Sequence, residues 1–226
     1  PPGRLSAFYP PRDEMQAGPA GPGAGPHCAP PRLRRSLPGM VLSDRWRSLT
    51  VAIGAGGDAA GAFADLDRRY REPGRYYHTW DHVTDCLARL DAAPGLCDRP
   101  EAVELALWFH DAVYDPRAGD NEARSAALLR EAAARLGIGD DLAEESAALV
   151  LATAHLAEAG AALGQESPAS ARDAAAIRDL DLAILGAPPA RFDAYEAAVR
   201  REYGFLSEAE WRAGRARVLR AFLDRP

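Results

Sequence analysis

Beyond about Ser43, apolar side chains recur every three or four positions and rarely gather into β-branched runs. That period confines the chain to helices, because only a helix brings positions three and four apart onto one face. In the stretch 58–72, Ala59, Phe63, Leu66 and Tyr70 make one stripe, and Pro73-Gly74 ends it. A second helix is expected at about 79–90, stopped by Pro94-Gly95. A third starts at Pro100, a favoured first-turn residue, and runs to Asp115-Pro116. A fourth follows Asp120 as N-cap and reaches Gly137. A fifth covers about 140–156; after a loop at 157–172, others follow at about 173–185, 189–203 and 207–223. There is no hairpin signal and no strand–helix alternation, so the expected fold is all-α, a multi-helix bundle with short connections.

Residues 1–40 differ. They hold 10 of the 18 prolines and runs such as GPAGPGAGP, without apolar periodicity. They read as a disordered Pro/Gly-rich extension, or a mis-set start, ahead of a helical domain at 41–226. No apolar segment follows their arginines, so they do not read as a secretory signal, and the prolines disfavour a transit peptide. The 226-residue chain is 47% apolar and 27% charged, enough to bury a core as one domain. A net charge of -6 argues against general nucleic-acid or anionic-membrane binding. No run of 18 apolar residues exists, so no membrane-spanning helix is expected. Cys28, Cys86 and Cys97 are few, odd in number and without CxxC spacing, which points to a reducing, cytoplasmic setting.

Chemistry concentrates in a few side chains. Of five histidines, His78, His82 and His110 fall within 33 residues. His78 and His82, in YYHTWDH, would share a helical face if the helix has begun by then. Thr79 stands where a zinc protease needs Glu, which rejects that motif. Capping or packing is the plain structural alternative for both. His110 and Asp111 lie on or beside the stripe of Val103, Leu107 and Tyr114 on a strongly apolar helix. A buried ionised Asp needs a partner, a cap or a metal. Imidazole nitrogen with carboxylate oxygen suits Mn, Fe, Zn or Ni. In DLDLAILG, either Asp179 or Asp181 could be the buried carboxylate; alternatively Asp179 is an N-cap with Asp181 in the first turn.

The ordered set of a helix-start His, a His-Asp doublet 28 residues on and a distant Asp resembles the HD superfamily of metal-dependent phosphohydrolases. It is most similar to a small bacterial subgroup of predicted HD phosphohydrolases. The likeness runs over RYYHTWDH, ALWFHDAVYDP, DNEARSA, LATAH, DLDLAILG and REYGFLSEAEWRAGRARVL, roughly residues 43–224. The resemblance implies an HD-domain bundle with His82 as first ligand, His110 and Asp111 as the doublet, and Asp179 or Asp181 as the last. Asp179 is slightly favoured by Ala183 and Leu185 at the family's small and apolar offsets. It implies His78 as an additional ligand or a group behind the ligands. His155 stands near where two-metal relatives use more than one histidine. Residues 1–40 have no counterpart in the subgroup, and its members usually continue past the last helix. The implied cofactor is a divalent ion: Mn, Mg, Fe, Ni, Co or Zn.

Two imidazoles and two carboxylates leave open positions on a six-coordinate ion, where water is activated and phosphoryl charge neutralised. Asp111 and His110 are then the expected catalytic groups. Arg75, Glu122 and His155 are candidates for the substrate side: Arg75 as a phosphate clamp or a solvated arginine, Glu122 as a group orienting a histidine. Trp108 and Tyr114 read as core, and Arg212, Arg215, Arg217 and Arg220 as a solvated helix face. The expected activity is hydrolysis of a phosphoester of a small metabolite or nucleotide. The alternatives are a non-catalytic HD module that binds metal or nucleotide, and redox chemistry at a di-iron centre. The expected partner is the small phosphorylated substrate, with no membrane or nucleic acid; a homodimer is admitted.

Overall fold

The computed structural model describes residues 41–154 and 167–224. The disorder expected for 1–40 therefore lies outside the described residues, as do His155 and most of the expected 157–172 loop. The described chain is all-α, with no strand among those residues. In order come α1 (Leu42–Ala52), α2 (Ala59–Tyr70), α3 (Trp80–Ala92), α4 (Pro100–Phe109) and α5 (Asn121–Leu136). They are followed by α6 (Asp140–Leu151), α7 (Ala171–Asp181), a 3₁₀ turn (Leu182–Gly186), α8 (Pro189–Glu202) and α9 (Glu208–Leu223). None of the described helices is long and apolar enough to cross a membrane.

α4 is the axis of the bundle. Every residue from Ala102 to Phe109 is buried, as expected of a helix apolar all round. It packs against α3, α5, α6 and α7. Trp46, Phe63, Tyr70 and Trp80 converge on Trp108 from the α1–α3 side, with Trp46 and Trp108 edge to face at 5.3 Å. The charged groups buried around the axis are matched, whereas the Trp108 indole N–H is buried without a hydrogen-bond partner. Glu104 accepts from Arg45 Nε at 2.8 Å, and Arg45 also reaches Asp91 at 2.6 Å. Asp173 of α7, fully buried, accepts from the Asp98 and Arg99 amides at 2.6 and 3.1 Å, taking up donors at the start of α4.

Two helices end earlier than the apolar pattern suggests. α4 stops at Phe109 rather than near Asp115, so Tyr114 is not on its stripe and the His110–Asp111 doublet forms the turn after it. One distant side chain and one in the turn itself take over the carbonyls that a longer helix would have paired. Tyr70 Oη donates to Trp108 O at 3.2 Å, and His110 Nδ1 to Leu107 O at 2.9 Å. α6 ends at Leu151 instead of near 156. α5 ends on Gly137, whose φ of 68° favours glycine.

Candidate metal centre

Four side chains from three separated stretches meet at one point. His82 is in the first turn of α3, His110 and Asp111 follow α4, and Asp181 is the last residue of α7. One donor atom from each lies within 4.8 Å of all the others. His82 Nε2 is 3.0 Å from His110 Nε2, 3.0 Å from Asp181 Oδ1 and 3.5 Å from Asp111 Oδ2. His110 Nε2 is 3.1 Å from Asp111 Oδ2 and 3.7 Å from Asp181 Oδ1. The imidazoles are buried and the carboxylates half-buried.

The donor set fits a divalent cation. His110 Nδ1 donates to Leu107 O, which puts its proton there and turns the Nε2 lone pair toward the cluster. Two nitrogens and two carboxylate oxygens on one centre suit a borderline ion. Both carboxylates also sit at C-terminal helix ends, where the backbone dipole is negative and favours a cation. The titration tendencies report the negative potential that the two carboxylates set up at the cluster. Burial would lower the His110 pKa, but Asp111 and Asp181 outweigh it and raise it. Burial would raise that of Asp111, but His110, His78 and His82 reverse this and hold it far below the usual carboxylate range.

The last carboxylate is Asp181. Asp179 is exposed on α7 and stands outside the cluster, which corrects the slight preference for it. The helix also ends at Asp181 rather than beginning at Asp179, so Asp179 is not an N-cap, and Asp181 precedes only the 3₁₀ turn, without a capping side-chain hydrogen bond. Periodicity could not decide between them, because the turn after Asp181 is 3₁₀ and its register departs from the α-helical one. Cys86, one turn after His82, braces the junction. Its Sγ is 3.8 Å from His82 Nδ1 and donates to Leu180 O at 3.6 Å.

His78 is beside the cluster rather than in it. α3 starts at Trp80, so His78 precedes the helix and the two histidines do not share its face. Its Nδ1 is held by Glu202 Oε2 at 2.7 Å, and its ring stacks on Tyr114 at 4.0 Å, 6.2 Å from the His82 ring. Burial opposes its charge, but Asp111, Glu202 and Asp181 raise its pKa nonetheless. Glu202, at the end of α8, was not singled out by sequence. It accepts from the Tyr76, Tyr77 and His78 amides at 2.7, 2.7 and 3.0 Å, and from Tyr114 Oη at 3.0 Å. Burial would raise its pKa, but His78 and those amides lower it to about 2. In RREYG it has the look of a solvated glutamate, so no local signal marks it. Tyr77 was also missed: its ring touches those of His82 at 4.8 Å and Tyr195 at 4.6 Å, bringing α8 to the rim.

Two substrate-side candidates stand outside the four-residue cluster. Arg75 is not a solvated arginine: its side chain is 3% exposed and donates to backbone carbonyls. Glu122 is half-buried in the first turn of α5. In the same DNEARSA segment, Ser125 Oγ accepts from the Val113 amide at 3.0 Å and donates to its carbonyl at 3.3 Å, while Asn121 bonds Asp115. That segment therefore fastens the turn after the doublet. Tyr114 is a rim residue rather than core, whereas Trp108 is fully buried. Arg215 departs from the solvated face expected of α9: it is 12% exposed and bonds Tyr195 Oη at 2.6 Å. Comparison of the chain with known protein families, curated proteins and solved structures found no match.

Proposed function

We propose that the protein is a metal-dependent phosphohydrolase of the HD type, acting on a phosphoester of a small metabolite. The observation that carries this is the convergence of His82, His110, Asp111 and Asp181, in the order and residue types of that superfamily. These four would hold the ion. A divalent ion there would acidify water and neutralise charge on a phosphoryl oxygen. The chain's own groups divide the remaining work. Asp111, half-exposed and kept ionised, orients the attacking water by accepting its hydrogen bond. His78, fixed through Nδ1 by Glu202 in a setting that favours its protonated form, would use its other nitrogen to offer a proton to the departing oxygen. Tyr77 and Tyr195 screen the rim from bulk water.

The test is metal analysis of the purified protein, followed by a panel of phosphomonoesters and nucleotides with Mn, Mg, Fe, Ni, Co or Zn. Ion-dependent hydrolysis that is lost both on chelation and in the His110→Ala/Asp111→Ala variant is expected. Bound ion with no hydrolysis across the panel would defeat the phosphohydrolase reading, and chelator-insensitive hydrolysis would defeat the metal role.

A further inference from the structure

We propose that Arg75 is a positioning residue of the metal centre, which fixes two ligand-bearing segments against each other through their backbone carbonyls. This rests on the four-residue cluster being an ion site, and does not depend on which reaction follows. Arg75 Nη1 donates to Asp111 O at 2.6 Å and to His78 O at 3.2 Å. Nη2 donates to Ala112 O at 3.1 Å, and both Nε and Nη2 reach Glu72, at 3.3 and 3.0 Å. One guanidinium thus bonds the turn that leads into His82 and the turn that carries His110 and Asp111. His110 and Asp111 lie on the second of these turns, and His82 follows the first in the opening turn of α3.

The need for such a group follows from the early end of α4. The Asp111 and Ala112 carbonyls lie beyond the helix, and leaving such groups unpaired in the interior costs free energy. A planar fork of five donors holds carbonyls on two chain segments in one fixed geometry, whereas an ammonium has three rotatable donors on a flexible stem and sets that geometry less tightly. The rings of Tyr70 and Tyr114 flank the guanidinium at 5.4 and 5.6 Å and limit its swing. Holding the Asp111 carbonyl, together with the His110 and Ala112 backbone on either side, restricts the direction of its Cα–Cβ bond. The placement of Asp111 Oδ2 beside His110 Nε2 is therefore set partly by a residue 36 positions away.

The experiment titrates the metal-free full chain with Co2+, read by visible absorption, and with Mn2+, read by electron paramagnetic resonance. Arg75→Lys is compared with wild type and with Leu136→Ala, a core truncation at the far end of α5. Arg75→Lys should weaken both ions by about 10- to 100-fold, the range for residues that orient ligands, and should alter the Co2+ spectrum. Leu136→Ala should lower the melting temperature at least as much, yet keep ion affinity within about twofold, as expected of a distant site. Should Arg75→Lys fail to fold, Arg75→Gln, which has no charge to bury, carries the same comparison. Parental affinity and spectrum in the Arg75 variant would overturn the proposal, as would equal weakening in Leu136→Ala. Weaker inorganic-phosphate binding at unchanged Co2+ affinity would reinstate a phosphate clamp and also overturn it. If wild type takes up neither ion, the metal centre itself is wrong and the proposal falls with it.

Discussion

α4 and α9 are both helices rich in Ala and Leu, yet they occupy opposite extremes of the fold. From Ala102 to Phe109 every α4 residue is buried, whereas no residue of α9 is. α9 rests on α8 through polar contacts, with Arg215 on Tyr195 and Glu196 and Arg200 over the Trp211 ring at 5.6 Å. The four-residue cluster able to hold a cation is built at the C-terminal end of the buried helix. The C-terminal pair reaches the site through single side chains, Glu202 and Tyr195, at its rim. Rigid placement of ligands thus coincides with dense packing, while the peripheral pair contributes ionic and aromatic contacts.

The largest expected difference is in stability. Trp108→Ala should cost about 3–5 kcal/mol, because a fully buried indole leaves a cavity that its aromatic neighbours cannot close. Leu219→Ala, half-exposed on α9, should cost less than about 1 kcal/mol. Urea unfolding of the two variants measures both, and similar losses would break the contrast.

Glu202→Gln tests whether the peripheral pair has one strong anchor. Losing a buried carboxylate that accepts from three amides, an imidazole and a phenol should cost about 2–3 kcal/mol at neutral pH. Since Glu202 is lowered from 4.5 to about 2, its contribution is present above 4.5 and is lost as pH falls toward 2. On the alkaline side the His78 contribution fades as pH rises through its raised pKa. Unfolding midpoints followed from pH 5 to pH 2 should therefore drop more steeply in wild type than in the variant. Parallel curves would remove Glu202 from its place as anchor.

The smallest effect sharpens the comparison at the scale of two residues. Asp179→Asn should leave ion affinity unchanged and stability within about 0.5 kcal/mol. Asp181→Asn, two positions on, should strongly weaken the ion. Calorimetric titration of both variants with Mn2+ decides it, and loss of affinity in Asp179→Asn would reassign the ligand.

Much of this was legible in the chain. Three- and four-residue apolar spacing is local physics, so the helices and their Pro-Gly breaks could be read directly, as could His82, His110 and Asp111 as metal-capable groups. The choice between Asp179 and Asp181 could not, because both stand in the same apolar segment and a 3₁₀ turn follows. Arg75 and Glu202 were hidden for another reason. A charged side chain looks solvated in sequence unless its partners are known, and theirs are amides and carbonyls, which every residue carries.

The sequence by itself determined an all-helical chain and the residue types able to grip a cation, since periodicity and side-chain chemistry act within a few positions. Only the tertiary structure decided which carboxylate closes the cluster, where α4 stops, and that Arg75 and Glu202 turn inward. Those outcomes depend on contacts 36 to 126 residues apart, in which a buried charge is stable only because distant backbone groups meet it.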